Sequence, residues 1–403
     1  MTASRLTTVH RSLILTLATL AIGSGLAHAA VNLPALNIDT TQTTVSGLSS
    51  GGYMAVQLHV AYSATFKKGA GVVAGGPFYC AQGSVVTATG ACMASPAGIS
   101  VSSLVTNTNN WASQGLIDPV ANLQSSKLYL FSGTLDSAVK PGVMDALKTY
   151  YNSFVSAANV IYKKDIAAEH AMITDDYGSA CSVKAAPYIN DCNFDVAGAI
   201  LGQLYGGLNP RNANALPASN FVQFNQSQFI TGHGMATTGW AYVPAACTTG
   251  AQCRLHVVLH GCKQNEIDVQ QQYVKNTGYN RWADTNNIVM LYPQTSTAAT
   301  NSCWDWWGYD SANYAKKSGP QMLAIKAMVD QISSTTPPPP PPPPPANCWS
   351  ASNYSHTLAG RAYAYFGLAY ANGSSQNMGL WNIYTTTTLK QTGSNYYVIG
   401  TCP

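Results

Sequence analysis

Apolar residues along the chain fall into two alternating patterns. Gly69 to Ala74, Leu128 to Phe131, Val160 to Tyr162, Leu255 to Leu259 and Ile288 to Tyr292 are short, continuous apolar runs. Such runs read as strands buried on both faces of a sheet. Tyr53 to Tyr62, Val143 to Val155, Val269 to Trp282 and Gln321 to Ile332 instead space their apolar residues three and four apart, as amphipathic helices do. Strands alternating with helices predict an α/β fold, with a mostly parallel sheet covered on both faces.

Two segments break this rhythm. Residues 1–30 read as a secretory signal: Arg5 and Arg11 lead, Leu13 to Leu26 is apolar, and Ala27-His28-Ala29 supplies the small-x-small cleavage pattern. The apolar stretch is short for a membrane span of ~20 residues. Pro337 to Pro345 is an unbroken run of nine prolines, which adopts extended polyproline II of about 28 Å. The spacer, residues 335–346, separates a large domain (31–334) from a small module (347–403). The module contains Arg361 and Lys390 but no Asp or Glu, and is rich in Thr, Ser, Asn, Gly and Tyr. It reads as β-rich and closed by Cys348 and Cys402.

Composition narrows the function. Only 9% of the 403 residues are charged and 46% are hydrophobic, so the chain can bury a sizeable core. The net charge is +4 with no Lys/Arg run, which argues against a nucleic-acid partner. No later segment is long and apolar enough for a membrane. All ten cysteines follow the signal, and an even count in an exported chain reads as disulfides. Spacing suggests 80–92, 181–192, 247–253 and 348–402, leaving 262–303, although spacing does not prove connectivity. Zinc is the competing use of cysteine, but no C-x-x-C spacing appears. Neither a metal nor a cofactor is expected.

Gly47-Leu48-Ser49-Ser50-Gly51 matches G-x-S-x-G, ahead of a helical segment. That pattern puts a serine nucleophile on a tight strand-to-helix turn, where glycines let strand and helix approach. The rival is a glycine-rich turn. A serine nucleophile needs a base, and the base an orienting acid. His10 and His28 leave with the signal, His59 sits inside a helix and His356 lies beyond the spacer, which leaves His170, His233, His256 and His260. In α/β-hydrolases the order is Ser, acid, His. Asp136 follows the strand Leu128 to Phe131, and His170 follows Val160 to Tyr162, so Ser49, Asp136 and His170 fit that order. Asp136 could instead cap the helix starting near Pro141.

The strand Leu255 to Leu259 runs into His260-Gly261-Cys262, a pattern similar to the oxyanion loop of esterases, with the Ser50 amide as second donor. That loop ordinarily precedes the nucleophile, whereas here it follows by about 210 residues. Either the match is accidental or the sheet is circularly permuted. Trp304, Trp306, Trp307 and Tyr309 crowd one segment. They serve core or cleft, with Trp307 the best placed for a cleft.

Three motifs, Gly47 to Met54, Leu259 to Cys262 and Cys303-Trp304-Asp305-Trp306-Trp307-Gly308-Tyr309, together resemble extracellular poly(3-hydroxybutyrate) depolymerases over roughly residues 33–334. The early serine resembles their type 2 catalytic domain. The resemblance implies a circularly permuted α/β-hydrolase with Ser49 as nucleophile, Asp136 and His170 as its partners, and the Ser50 and Cys262 amides as oxyanion hole. Trp306, Trp307 and Tyr309 would then bind substrate. The surroundings of His170, Glu169 to Thr174, depart from the His-x-Phe-Pro-Thr form of the family. The implied protein is a secreted monomeric serine esterase that cuts an insoluble aliphatic polyester to short oligomers and monomers through an acyl-enzyme. It needs no cofactor, and its terminal module grips the polymer. Two other readings compete: a carbohydrate or feruloyl-type esterase with a polysaccharide-binding module, and a non-catalytic surface-binding protein.

Overall fold

The computed structural model describes residues 30–334 and 348–401. The expected signal and proline spacer lie outside the described residues, apart from Ala30 at the end of the signal. The main sheet opens with four parallel strands, β1 (Thr44–Leu48), β2 (Gly69–Val73), β3 (Lys127–Phe131) and β4 (Val160–Lys163). A small separate sheet follows: β5 (Met172–Thr174), β6 (Ser179–Ala180) and β7 (Ile189–Asp191). The main sheet resumes with β8 (Phe221–Asn225), β9 (Thr238–Tyr242), β10 (Arg254–Leu259) and β11 (Ile288–Tyr292). Its eight strands lie in the order β4-β3-β2-β1-β10-β11-β9-β8, with only β9 running against the rest.

All five predicted strands are present, and two-residue alternation within them builds two cores. Leu128 and Leu130 of β3 face one apolar cluster, and Tyr129 and Phe131 the other; Val289 and Leu291 of β11 oppose Ile288, Met290 and Tyr292. Helices close both faces. Pro141–Tyr151 and Pro320–Ile332 send Leu147, Met322 and Ile325 into the first cluster, and Val196–Tyr205 and Tyr279–Asn286 send Ile200 and Ala283 into the second. Helix Ser50–Ala61 is buried along its whole length, which makes it a core helix and not an amphipathic one.

Two further expectations need correction. Val269 to Trp282 is not one helix but parts of three, Glu266–Val269, Gln272–Asn276 and Tyr279–Asn286. Positive φ at Gln270 (54°) and Gly278 (90°) interrupts it, because a helix cannot pass through left-handed backbone. The Val160 run is an edge strand, with Ile161 45% exposed, and not a buried one. Strands β8 and β9 escaped the apolar-run criterion because β8 is only half-buried and β9 is interrupted by Gly239.

Disulfides join Cys80–Cys92, Cys181–Cys192, Cys247–Cys253 and Cys262–Cys303. The fifth expected pairing falls on residue 402, outside the described residues. The module, taken by itself, has two antiparallel three-stranded sheets. One contains β12 (Cys348–Ser352), β16 (Thr386–Gly393) and β17 (Tyr396–Ile399), and the other β13 (Ala362–Tyr365), β14 (Leu368–Ala371) and β15 (Asn377–Leu380). Ala369, Ala371, Met378 and Leu389 form its small core.

Candidate active site

Strand β1 stops at Leu48 and a helix starts at Ser50, so Ser49 makes the whole turn. Its backbone sits at φ 56°, ψ −122°, a conformation that costs a non-glycine residue about 1–3 kcal/mol. The neighbouring chain is locked around it. The Ser49 amide donates to the Val73 carbonyl at 2.9 Å. A Cβ on Gly47 would lie 2.2 Å from the Gly51 carbonyl oxygen, and one on Gly51 2.3 Å from that of Leu259. Only glycine permits strand, turn and helix to approach this closely, which is the physical content of the G-x-S-x-G motif.

Asp136 and His170 lie on the loops after β3 and β4. His170 Nδ1 donates to Asp136 Oδ2 at 2.8 Å, in surroundings that leave the side chains 11% and 1% exposed. Asp136 Oδ1 meanwhile accepts the amides of Ala138 (2.9 Å) and Val139 (2.8 Å). One carboxylate thus builds its own turn and holds the imidazole; it does not cap the helix at Pro141, whose N-cap is Lys140. Glu169 secures the backbone beside it, its Oε2 accepting the amides of His170 (2.6 Å) and Ser137 (3.1 Å). Burial works to raise the pKa of Glu169. The Ser137 hydroxyl, these two amides and the Lys184 charge outweigh it and keep Glu169 below its usual range.

Strand β10 delivers the third component. The Gly261 amide donates to Gln264 Oε1 at 2.7 Å, while Gln264 Nε2 donates to the Pro187 and Tyr188 carbonyls at 2.9 and 3.0 Å. With Gly261 engaged, Cys262 carries the next amide of the loop and lines the same cavity as Ser49, and its disulfide to Cys303 ties this loop to the tryptophan segment. His260 is part of the scaffold. Its Nδ1 donates to the Gly261 carbonyl at 2.7 Å, so Nε2 accepts from the Thr295 amide at 3.2 Å. Burial lowers its pKa to about 4, against smaller opposing effects of the Gly261 carbonyl and Asp268, so the ring is neutral. Of the other candidate histidines, His256 is buried within the sheet and His233 pairs with Asp310 on the surface at 2.9 Å.

Ser49, His170, Gly261 and Cys262 open into one cavity of about 500 Å³. Its walls are largely apolar, and Trp306 and Trp307 both line it. Tyr53, expected only as part of a helix, lines it too. Tyr53 stacks on Trp306 (centroids 4.0 Å apart, planes at 14°) and donates its hydroxyl to the Cys92 carbonyl. Burial, with Asp136 adding to it, pushes its pKa well above the ordinary value. Tyr309, expected at the substrate, does not line the cavity. It packs behind Trp307, with its hydroxyl donating to the Cys303 carbonyl at 2.8 Å. Asp305 shapes this segment by accepting the amides of Gly308, Tyr309, Asp310 and Ser311. Trp304 is fully buried, its Nε1 donating to the His260 carbonyl at 2.9 Å.

A strained serine at a strand-to-helix turn, a carboxylate-held imidazole and an amide-bearing loop around one apolar cavity define a carboxylic ester hydrolase of α/β-hydrolase type. A family profile described as Esterase PHB depolymerase matches residues 240–334. The chain is 63% identical to a poly(3-hydroxybutyrate) depolymerase of Delftia acidovorans, with 94% of this chain and 96% of the relative covered. It is 43% identical to a polyhydroxybutyrate depolymerase of Talaromyces funiculosus, over 76% of this chain and 94% of that one. The crystal structure of a PHB depolymerase from Penicillium funiculosum superposes with a TM-score of 0.70 at 41% identity, covering 75% of this chain and 99% of that one. A serine-to-alanine PHB depolymerase complexed with an R3HB trimer matches equally well. The chain belongs to the poly(3-hydroxybutyrate) depolymerases.

Proposed function

We propose that this enzyme is secreted and hydrolyses the backbone esters of solid poly(3-hydroxybutyrate), with Ser49, His170 and Asp136 as its triad. The observation that carries the reading is the Asp136–His170 bond of 2.8 Å, with His170 and the positive-φ Ser49 lining one apolar cavity. Asp136 fixes the proton on His170 Nδ1, which leaves Nε2 as the basic nitrogen. Nε2 takes the Ser49 proton as Oγ attacks the ester carbonyl. The oxyanion is held by the Ser50 and Cys262 amides. The C–O bond breaks, the alcohol oxygen leaves with the proton from His170, and an acyl-Ser49 ester remains. Water, deprotonated by His170, then releases the acid and restores the Ser49 hydroxyl.

Circular permutation is supported by reading the strands in chain order as though the chain began at β8. Taken as β8, β9, β10, β11, β1, β2, β3, β4, the oxyanion loop follows the third strand, and serine, acid and histidine come afterwards. This is the usual α/β-hydrolase order. Trp306, Trp307 and Tyr53 would contact the methyl-bearing chain, which offers apolar surface and no charge. The module would hold the enzyme on the polymer. The enzyme would act as a monomer and release short oligomers and monomers. Clearing of a poly(3-hydroxybutyrate) granule suspension tests the whole reading. The mature chain clears it and Ser49→Ala does not; clearing by Ser49→Ala at the wild-type rate would overturn the triad.

A further inference from the structure

A neutral polyester gives a binding cavity no reason to carry charge, yet Lys184 and Lys263 both line this one, and no Asp or Glu does. The chemical difference between polymer and short product is a carboxylate at the chain end. We propose that Lys184 binds the terminal carboxylate of short 3-hydroxyacid oligomers on the leaving-group side of the scissile ester, making free-acid oligomers better substrates than their capped esters. The inference rests on the triad proposed above.

Three observations favour Lys184. First, its ammonium is held in place: it donates to Ser137 Oγ, and the Ser137 amide donates to the same Glu169 oxygen that accepts the His170 amide. Lys184 is therefore fastened to the loops that carry Asp136 and His170. Second, its own segment is firm at the root. The Cys181–Cys192 disulfide closes it, and Asn190 Nδ2 donates to the Cys181 and Val183 carbonyls at 3.1 and 2.7 Å. Third, the ammonium has no direct carboxylate partner, although its field reaches Glu169. Ser137 is a neutral partner that occupies one of three ammonium protons, and Lys184 forms no ion pair among the described residues. Both oxygens of Asp136 are taken by other groups, and Glu169 already accepts two amides.

The direction follows from the reaction. His170 gives its proton to the leaving alcohol oxygen, so the leaving half of the substrate lies on the His170 side. In a 3-hydroxyacid ester that half runs from the oxygen through CH(CH₃) and CH₂ to the carboxyl group. When it is the last unit, its carboxylate is three bonds from the ester oxygen, toward Lys184. Lys263 follows Cys262 on the oxyanion loop, with φ 55° and its amide donating to the Asn301 carbonyl, and so is tied to that loop and not to the loops of Asp136 and His170.

The test compares kcat/KM for the 3-hydroxybutyrate trimer as free acid and as methyl ester. The wild-type enzyme should favour the free acid, and added salt should erode the preference as screening requires. Lys184→Met should lower the acid-to-ester ratio roughly fivefold, the worth of an exposed charge pair. Lys184→Arg should retain it, and Lys263→Met should lower it less than Lys184→Met does. An unchanged ratio in Lys184→Met would overturn the subsite alone, as would an equal fall in Lys263→Met, which would reveal a diffuse potential. Failure of the wild type to cut either trimer would overturn the triad reading and this subsite with it.

Discussion

At the scale of single residues, the site depends on groups that do two things at once. Asp136 uses one oxygen for two amides of its own loop and the other for His170. An amide in its place keeps the volume and the Oδ1 contacts but presents N–H groups to Nδ1. That bond survives only if Nδ1 gives up its proton, which moves the proton to Nε2 and removes the base. Asp136→Asn should therefore lower kcat on a soluble 3-hydroxybutyrate oligomer by about 10³–10⁴-fold while KM changes little. Steady-state kinetics checks this, and a loss carried mainly by KM would contradict the tautomer argument. Ser49, Asp136, His170 and Cys262 were legible because each follows a strand end in a fixed order. Tyr53, Gln264 and Lys184 were not, because their place at the cavity comes from packing between distant segments. Tyr309 shows the converse: an aromatic next to a cavity-lining tryptophan in sequence, yet turned behind it by the tight turn around Asp305.

At the scale of elements, β1 and β10 do more than carry the serine and the oxyanion loop. A buried hydrogen-bond chain crosses them. The Tyr205 hydroxyl donates to the Leu255 carbonyl, which fixes the direction of the rest. Thr44 Oγ1 then donates to Tyr205, and His256 Nδ1 to Thr44. At the other end Ser46 Oγ donates to His256 Nε2, and the Tyr279 hydroxyl to Ser46. His256 is therefore neutral, and burial lowers its pKa to about 3. Burial does the same to His59, also to about 3, and dominates in His260, at about 4. Unfolded, each would titrate near 6.5. Between these values the unfolded chain binds more protons, so stability is full above about pH 6.5 and falls as pH drops, levelling off only near pH 3–4. At pH 5 the cost is roughly 2 kcal/mol per histidine. The Tm should fall steadily from pH 7 to pH 4.5, and His256→Gln should flatten that slope by about one proton. A Tm constant over this range would show that these rings are not buried neutral. The parallel strands were legible from their apolar runs; this polar chain was not, since Thr44 and Ser46 look like ordinary strand polar residues until the partner strand, some 210 positions later, is laid beside them.

At the scale of the whole molecule, the proposed substrate is a surface, so encounter matters as much as chemistry. The triad lies in the catalytic domain, whereas the module carries a set of exposed rings. Phe366 is 87% and Tyr384 86% exposed, and Tyr365 and Trp381 are also exposed. A core this small cannot bury them, and a module without Asp or Glu has little to repel it from an uncharged polymer. If these rings are the grip, their loss should separate adsorption from catalysis. Phe366→Ser together with Tyr384→Ser removes two largely solvated side chains, and surface changes of this kind usually cost less than about 0.5 kcal/mol of stability each. The double variant should keep its kcat/KM on the soluble trimer. On granules at dilute enzyme it should clear more slowly, by about tenfold or more, because the tether no longer raises the effective concentration of the catalytic domain at the surface. Raising the enzyme concentration should restore most of the rate, since the active site is intact. Equal clearing by variant and wild type at every dilution would show that the module holds the polymer through other residues or not at all, and a parallel loss on the soluble trimer would show that these rings support the fold.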